Sequence, residues 1–274
     1  MPFARINQQN IHYEDTGGDG LPLILSHGFL MDRQMFAPQV AALSPEFRVI
    51  TWDERGFGQT EFDGQPFSYW DSARDCLALL DHLGIARAVL GGMSQGGFLS
   101  LRAALLAPQR VLGLVLIDTQ AGPEDPQHVE GYRQLMQGWI SQGLSEEVAQ
   151  TIAHIILAEP QENARWIAKW KALKNPAQLA APTECLLGRE DLTPRLDEIV
   201  APALVIHGSA DNAIPLPLAR ALCAGLRHSQ PLVLVEGAAH AANLTHPEQV
   251  NPPLLAFLRQ LVAAPDQVGY HRSD

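Results

Sequence analysis

A pentapeptide, Gly92-Met93-Ser94-Gln95-Gly96, constrains this chain more than any other stretch, because of what flanks it. Upstream, Ala88-Val89-Leu90-Gly91 is an apolar run of buried-strand type. Downstream, the residues from Gly97 to Leu106 are rich in helix formers and repeat their apolar positions at helical spacing. A chain that passes from strand to helix within so few residues must turn sharply. The serine at the apex is then strained, and side chains at Gly92 and Gly96 would collide with the turn. The turn also pushes the Ser94 hydroxyl into the open, while the Gln95 amide, at the helix start, faces the place where an oxyanion would form.

A serine hydroxyl is a weak nucleophile and needs a base and an orienting acid. Two further strand-like runs supply them. Ala203-Leu204-Val205-Ile206 leads into His207-Gly208-Ser209-Ala210-Asp211, and Leu232-Val233-Leu234-Val235 leads into Glu236-Gly237-Ala238-Ala239-His240. The order Ser94, Asp211, His240 is that of one hydrolase architecture, in which loops at the carboxyl ends of parallel strands gather on one edge. Asp118, at the end of Leu116-Ile117, is a rival acid, and chain order favours Asp211. His246 is a rival base, but it precedes Pro247 at a helix start, where a capping or surface role is expected. His27 and His207 precede glycines at strand ends and read as structural. Leu23-Ile24-Leu25-Ser26 runs into His27-Gly28-Phe29, so the amides of Phe29 and Gln95 are the expected oxyanion donors.

These pieces together resemble the α/β-hydrolase fold family over nearly the whole chain. The matching segments are His27-Gly28-Phe29, Asp53-Glu54-Arg55-Gly56-Phe57-Gly58, the turn at Ser94, Gly208-Ser209-Ala210-Asp211, and His240 followed by Asn243, His246 and Pro247. Within that family the chain is most similar to serine carboxylesterases and enol-lactone hydrolases, the second through Ala239–Glu248. The resemblance implies a mostly parallel central sheet flanked by helices, with an inserted helical cap. Haloalkane dehalogenases and epoxide hydrolases of this fold carry aspartate where Ser94 stands. Carbon–carbon-bond hydrolases usually carry tryptophan where Ala241 follows His240. Both activities are therefore disfavoured.

The remaining pattern supports this layout. An opening β pair is expected near 4–8 and 10–15, then strands near 22–26, 47–52, 86–91, 111–117, 203–207 and 232–236. Helices are expected near 33–43, 69–83, 96–107, 215–225 and 247–262. Unbroken apolar strands alternating with helices mean a parallel sheet covered on both faces. Residues 120–200 carry helical patterns (128–142, 146–157) broken by prolines, and no convincing strand. They are read as a cap inserted into a core of residues 1–119 and 201–274. The turn Asp53–Gly58 reads as scaffold in which Arg55 pairs locally.

In the cap, Tyr132, Met136 and Trp139 are spaced four and three residues apart and so share a helix face. With Phe29 and Met93 they are the candidate substrate pocket, and core packing is the competing explanation for such a stripe. The expected activity is cofactor-independent and metal-free hydrolysis of a small, largely apolar carboxylic ester. A lactone is the nearest alternative, then acyl transfer or perhydrolysis, then a small-molecule receptor on the same scaffold. A cationic residue facing a substrate carboxylate would favour enol-lactones; Arg33, Arg133 and Arg165 are the candidates. Thirty acidic against nineteen basic side chains, a net charge of −11, argue against nucleic acid or an anionic membrane as partner. Three cysteines without metal spacing and an amino terminus without an apolar secretion core predict free thiols and a cytoplasmic location.

Overall fold

The computed structural model describes residues 2–263. Eight strands form one sheet: β1 Phe3–Ile6, β2 Gln9–Asp15, β3 Pro22–Ser26, β4 Arg48–Trp52, β5 Ala88–Met93, β6 Val111–Ile117, β7 Ala203–Gly208 and β8 Val233–Val235. Their order is β1-β2-β4-β3-β5-β6-β7-β8. The first two are an antiparallel hairpin whose two-residue turn, Asn7-Gln8, has both φ values positive, the twist-matched geometry for such a turn. From β4 to β8 all neighbours are parallel.

Side-chain alternation divides the core between the two sheet faces. Leu23, Leu25, Val49, Val115 and Ile117 pack on one side, against Val250, Leu254, Phe257 and Leu261 of the last helix. Ile24, Ile50, Leu114 and Leu116 pack on the other, against Cys76, Leu79 and Leu80 and against Phe98 and Leu101. The first three helices are α1 Ala37–Leu43, α2 Tyr69–His82 and α3 Gln95–Leu106, of which α2 and α3 supply the residues on the second face. After β6 come α4 Pro126–Gln142, α5 Glu146–Ile156, α6 Pro160–Lys171 and α7 Ala180–Leu187, then α8 Leu216–Gly225, α9 Ala242–Thr245 and α10 Pro247–Ala263. α2 begins with a capping box in which Ser68 N donates to Asp71 Oδ2 at 2.9 Å. α10 continues through Pro252-Pro253, where a break is the ordinary expectation. Gln39 donates to Asn251 Oδ1 at 2.8 Å and Asn251 donates back to Pro38 O, which pins that turn to the sheet-side helices.

Between β6 and β7 the chain is helical. Prolines open α4 and α6, where the missing N–H has no intrahelical partner to lose, and Asp125, Ser145 and Glu159 cap α4, α5 and α6. Leu192 N donates to Ala121 O at 2.9 Å, so the chain leaves this segment beside the point where it enters. Among the bonds that tie the segment to the rest are Trp170 Nε1 to Leu30 O at 2.7 Å, Gln178 Nε2 to Gly56 O at 2.9 Å, and Ala241 N to Ile156 O at 2.8 Å.

The Asp53–Gly58 turn differs from expectation in one respect. Gly56 and Gly58 have positive φ, but Arg55 does not pair locally. It reaches α2 and bonds Asp75 at 2.5 and 2.9 Å. The turn's own carboxylate, Asp53, is already engaged by the amides of Arg33 and Gln59.

Candidate active site

β5 ends at Met93 and α3 starts at Gln95, leaving Ser94 alone on the turn with φ 51° and ψ −112°. Only glycine adopts that region freely, so the serine is held there by its surroundings. Its N–H donates to Ile117 O at 2.9 Å, and its carbonyl accepts from Gly97 N, Phe98 N and the Thr119 hydroxyl. The flanking glycines are demanded by close backbone approach. A Cβ at Gly92 would lie 2.2 Å from the Gly96 carbonyl carbon, and one at Gly96 would lie 1.9 Å from Ser26 O.

His240 follows β8 and Asp211 follows β7, and His240 Nδ1 lies 2.8 Å from Asp211 Oδ2. Asp211 Oδ1 accepts from the amides of Ala213 and Ile214 at 2.8 and 3.0 Å, which fixes the carboxylate. Burial opposes charge on both groups, but each outweighs it for the other. The His240 pKa rises above the ordinary 6.5, with help from Asp118 and Glu124, and that of Asp211 falls below its ordinary 3.8. Asp118 does not meet the imidazole. It accepts from Gly208 N at 2.7 Å and Ala242 N at 2.9 Å, lashing the ends of β7 and of the His240 loop to β6.

The rival histidines weighed from the sequence, His27, His207 and His246, have structural partners. His27 Nε2 accepts from Glu54 N at 2.9 Å, and His207 Nε2 donates to Ile214 O at 2.9 Å. His246 pairs with the Thr245 hydroxyl beside it. Asp118, His207 and Asp211 approach closely enough to suggest a cation site. Their donor atoms are largely committed to backbone groups and to His240, which speaks for an internal polar network rather than a ligand set.

Among the described residues, neither the Phe29 amide nor the Gln95 amide has an acceptor. The Gln95 side chain is anchored at both ends, accepting from Tyr69 Oη at 3.2 Å and donating to Glu54 Oε1 at 3.3 Å. Burial, then the neighbouring Asp75, pushes the Glu54 carboxyl well above the usual range. Gly28 leaves room for Met93, whose Sδ would lie 2.4 Å from a Cβ there.

Ser94 and His240 open onto one small cavity of about 110 Å³. Phe29, Met93, Tyr132 and Met136 line it. Trp139 does not. It lies in a separate cleft with Trp166, Trp170 and Lys169. Trp139 shares a helix face with Tyr132, but seven residues at roughly 1.5 Å each carry it about 10 Å along the axis, past the end of the cavity. The proposed cations also lie elsewhere. Arg33 pairs with Glu14 and Asp53, Arg133 with Glu130 and Glu184, and Arg165 with Glu162. The charges in the cavity are Arg189 and Glu124, joined at 3.1 Å, which sequence reading missed. Neither lies in a periodic pattern, since one precedes α4 and the other follows α7.

The sequence profile described as "alpha/beta hydrolase fold" matches residues 22–247. The chain belongs to the α/β-hydrolase fold family. Among solved structures, this α/β hydrolase is similar to a thermophilic esterase from Thermogutta terrifontis. Identity is 30% and TM-score 0.85, over 92% of this chain and 94% of that one. It is similar also to the enol-lactonase from Burkholderia xenovorans LB400, at 28% identity and TM-score 0.86, over 94% and 100% of the two chains. A curated relative from Pseudomonas putida, the dihydrolipoyllysine-residue acetyltransferase component of an acetoin cleaving system, is 34% identical over 94% of this chain and 69% of its own. Among the described residues, no helix of this α/β hydrolase is long and apolar enough to cross a membrane.

Proposed function

We propose that this α/β hydrolase is a serine esterase that cleaves small, largely apolar carboxylic esters through an acyl-enzyme. The observation that carries this reading is the His240–Asp211 bond at 2.8 Å, in a protein whose Ser94 shares a cavity with His240. Ser94 Oγ attacks the ester carbonyl as His240 Nε2 takes its proton. Asp211 holds Nδ1–H, fixing the tautomer and stabilising the imidazolium. The amides of Phe29 and Gln95 receive the developing oxyanion. The carbon–oxygen bond then breaks, and the alcohol leaves with the proton from His240. Water, deprotonated by the same imidazole, attacks the acyl-enzyme and frees the acid and Ser94. The helices between β6 and β7 act as the cap that shapes the acyl pocket.

Lactone opening is the second reading, favoured by the similarity to the enol-lactonase from Burkholderia xenovorans LB400. A lactone is a cyclic ester and uses the same groups. The deciding experiment is burst kinetics with p-nitrophenyl acetate and butyrate on the wild type and Ser94→Ala. A stoichiometric burst followed by turnover, both absent from the variant, is the expected result. Equal release by the two proteins would remove Ser94 as the nucleophile. A burst without subsequent turnover would point to an acyltransferase lacking its acceptor.

A further inference from the structure

The polar corner of the cavity carries a signature that the esterase reading alone does not explain. Arg189 is buried, with a side chain only 2% exposed, and three bonds hold it. Nε donates to Gly122 O at 3.2 Å, and Nη1 donates to Leu186 O at 2.9 Å and Glu124 Oε2 at 3.1 Å. The guanidinium also lies over the Phe98 ring, 4.5 Å from its centroid. Among the described residues, Nη2 has no acceptor. Nη2 is not sealed away from accessible space, and Arg189 lines the cavity that holds Ser94 as well as a second cleft beside Tyr69 and Arg102, so this donor is free to meet a ligand. Glu124 lines it too, so the corner offers a donor and an acceptor side by side.

We infer that this corner recognises a neutral secondary amide carried by the acyl part of the substrate, Arg189 Nη2 donating to its carbonyl and Glu124 accepting from its N–H. The inference rests on the serine-esterase reading and narrows its substrate class to N-acylamino esters or lactones. The charge balance selects the amide over a carboxylate. Glu124 already neutralises Arg189, so a substrate anion would be an unbalanced third charge, desolvated and repelled by Glu124. A carbonyl and an N–H satisfy both protein groups without adding net charge. The rest of the wall, including Leu135, Met136, Ile152 and Ile156, suits the hydrocarbon on either side of the amide.

The test compares kcat/KM for three methyl esters of similar length: N-acetyl-β-alanine methyl ester, methyl hexanoate and monomethyl adipate. In the wild type the amide ester should exceed the hydrocarbon ester by about 10- to 100-fold, the scale of a hydrogen bond to a charged group. Monomethyl adipate should be the poorest of the three. In Arg189→Met the amide-to-hydrocarbon ratio should fall to near one. Because Arg189 also bonds backbone, Glu124→Gln provides a second reading: it leaves the cation unbalanced and should raise monomethyl adipate relative to methyl hexanoate. An amide ester no better than the hydrocarbon, or monomethyl adipate as best wild-type substrate, would overturn the inference while leaving the esterase intact. Hydrolysis of methyl hexanoate that survives in Ser94→Ala would instead overturn the reading beneath it.

Discussion

His240 Nδ1 and Asp211 Oδ2 lie 2.8 Å apart across 29 residues of sequence, each on a loop that leaves the carboxyl end of a parallel strand. Catalysis requires neutral His240 to accept the serine proton. Because its pKa stands above 6.5, kcat/KM should climb with pH along a limb centred above that value. Asp211→Asn removes the opposing charge, so the limb should move to lower pH, and kcat should fall by roughly 10⁴-fold. A pH–rate profile of the two proteins checks both.

The same pair makes a stability prediction. A depressed Asp211 contributes stability above about 3.8 and loses it as pH falls through its folded value; a raised His240 contributes below about 6.5 and loses it as pH rises through its folded value. The pair should therefore stabilise most between about pH 4 and 6.5, where the imidazolium meets the carboxylate. Melting curves of wild type and Asp211→Asn across pH 3 to 9 should differ most within that window.

Ser94 stores strain at φ 51° and ψ −112°. Ser94→Gly should release about 1 kcal/mol or more of it, whereas Ser94→Ala keeps it. The glycine variant should accordingly melt about 2–4 °C above the alanine variant, although both are inactive. Equal melting points by calorimetry would show that the turn is unstrained.

Asp118 accepts two buried amides and touches no part of the proposed reaction directly. Asp118→Ala should cost about 3 kcal/mol or more, since both amides lose their partner. Denaturant titration measures that loss. The residual folded enzyme should retain a burst with p-nitrophenyl acetate.

Trp139 and Met136 should separate cleanly. Met136→Ala enlarges the cavity and should shift preference toward longer p-nitrophenyl esters. Trp139→Phe alters the neighbouring cleft, and its chain-length profile should match the wild type.

Features set by local chemistry were legible in the sequence. Ser94, Asp211 and His240 each follow a short apolar run of strand type, and the strand-end rule then brings them to one edge. The glycines at 92 and 96 signal close backbone approach without any knowledge of what approaches. What was not legible depends on how helices of the 120–200 segment lean on one another. The shared face of Tyr132 and Trp139 is periodic, but where the cavity ends along that helix is not written in the period. Arg189 and Glu124 meet from opposite ends of that segment, and Arg55 finds Asp75 rather than a turn neighbour. Long-range partnerships of single charged residues leave no local trace.

The bond from Leu192 N to Ala121 O, at 2.9 Å, brings entry and exit of the intervening helices to adjacent points. A segment whose two ends meet behaves as a plug in a socket: its length, sequence and internal packing can be exchanged without altering the distance that the underlying strands must bridge. Substrate choice and bond-breaking chemistry are then separately inheritable parts of one polypeptide. Grafting a different helical plug between residues 121 and 192 is the natural route to a new specificity on the same serine.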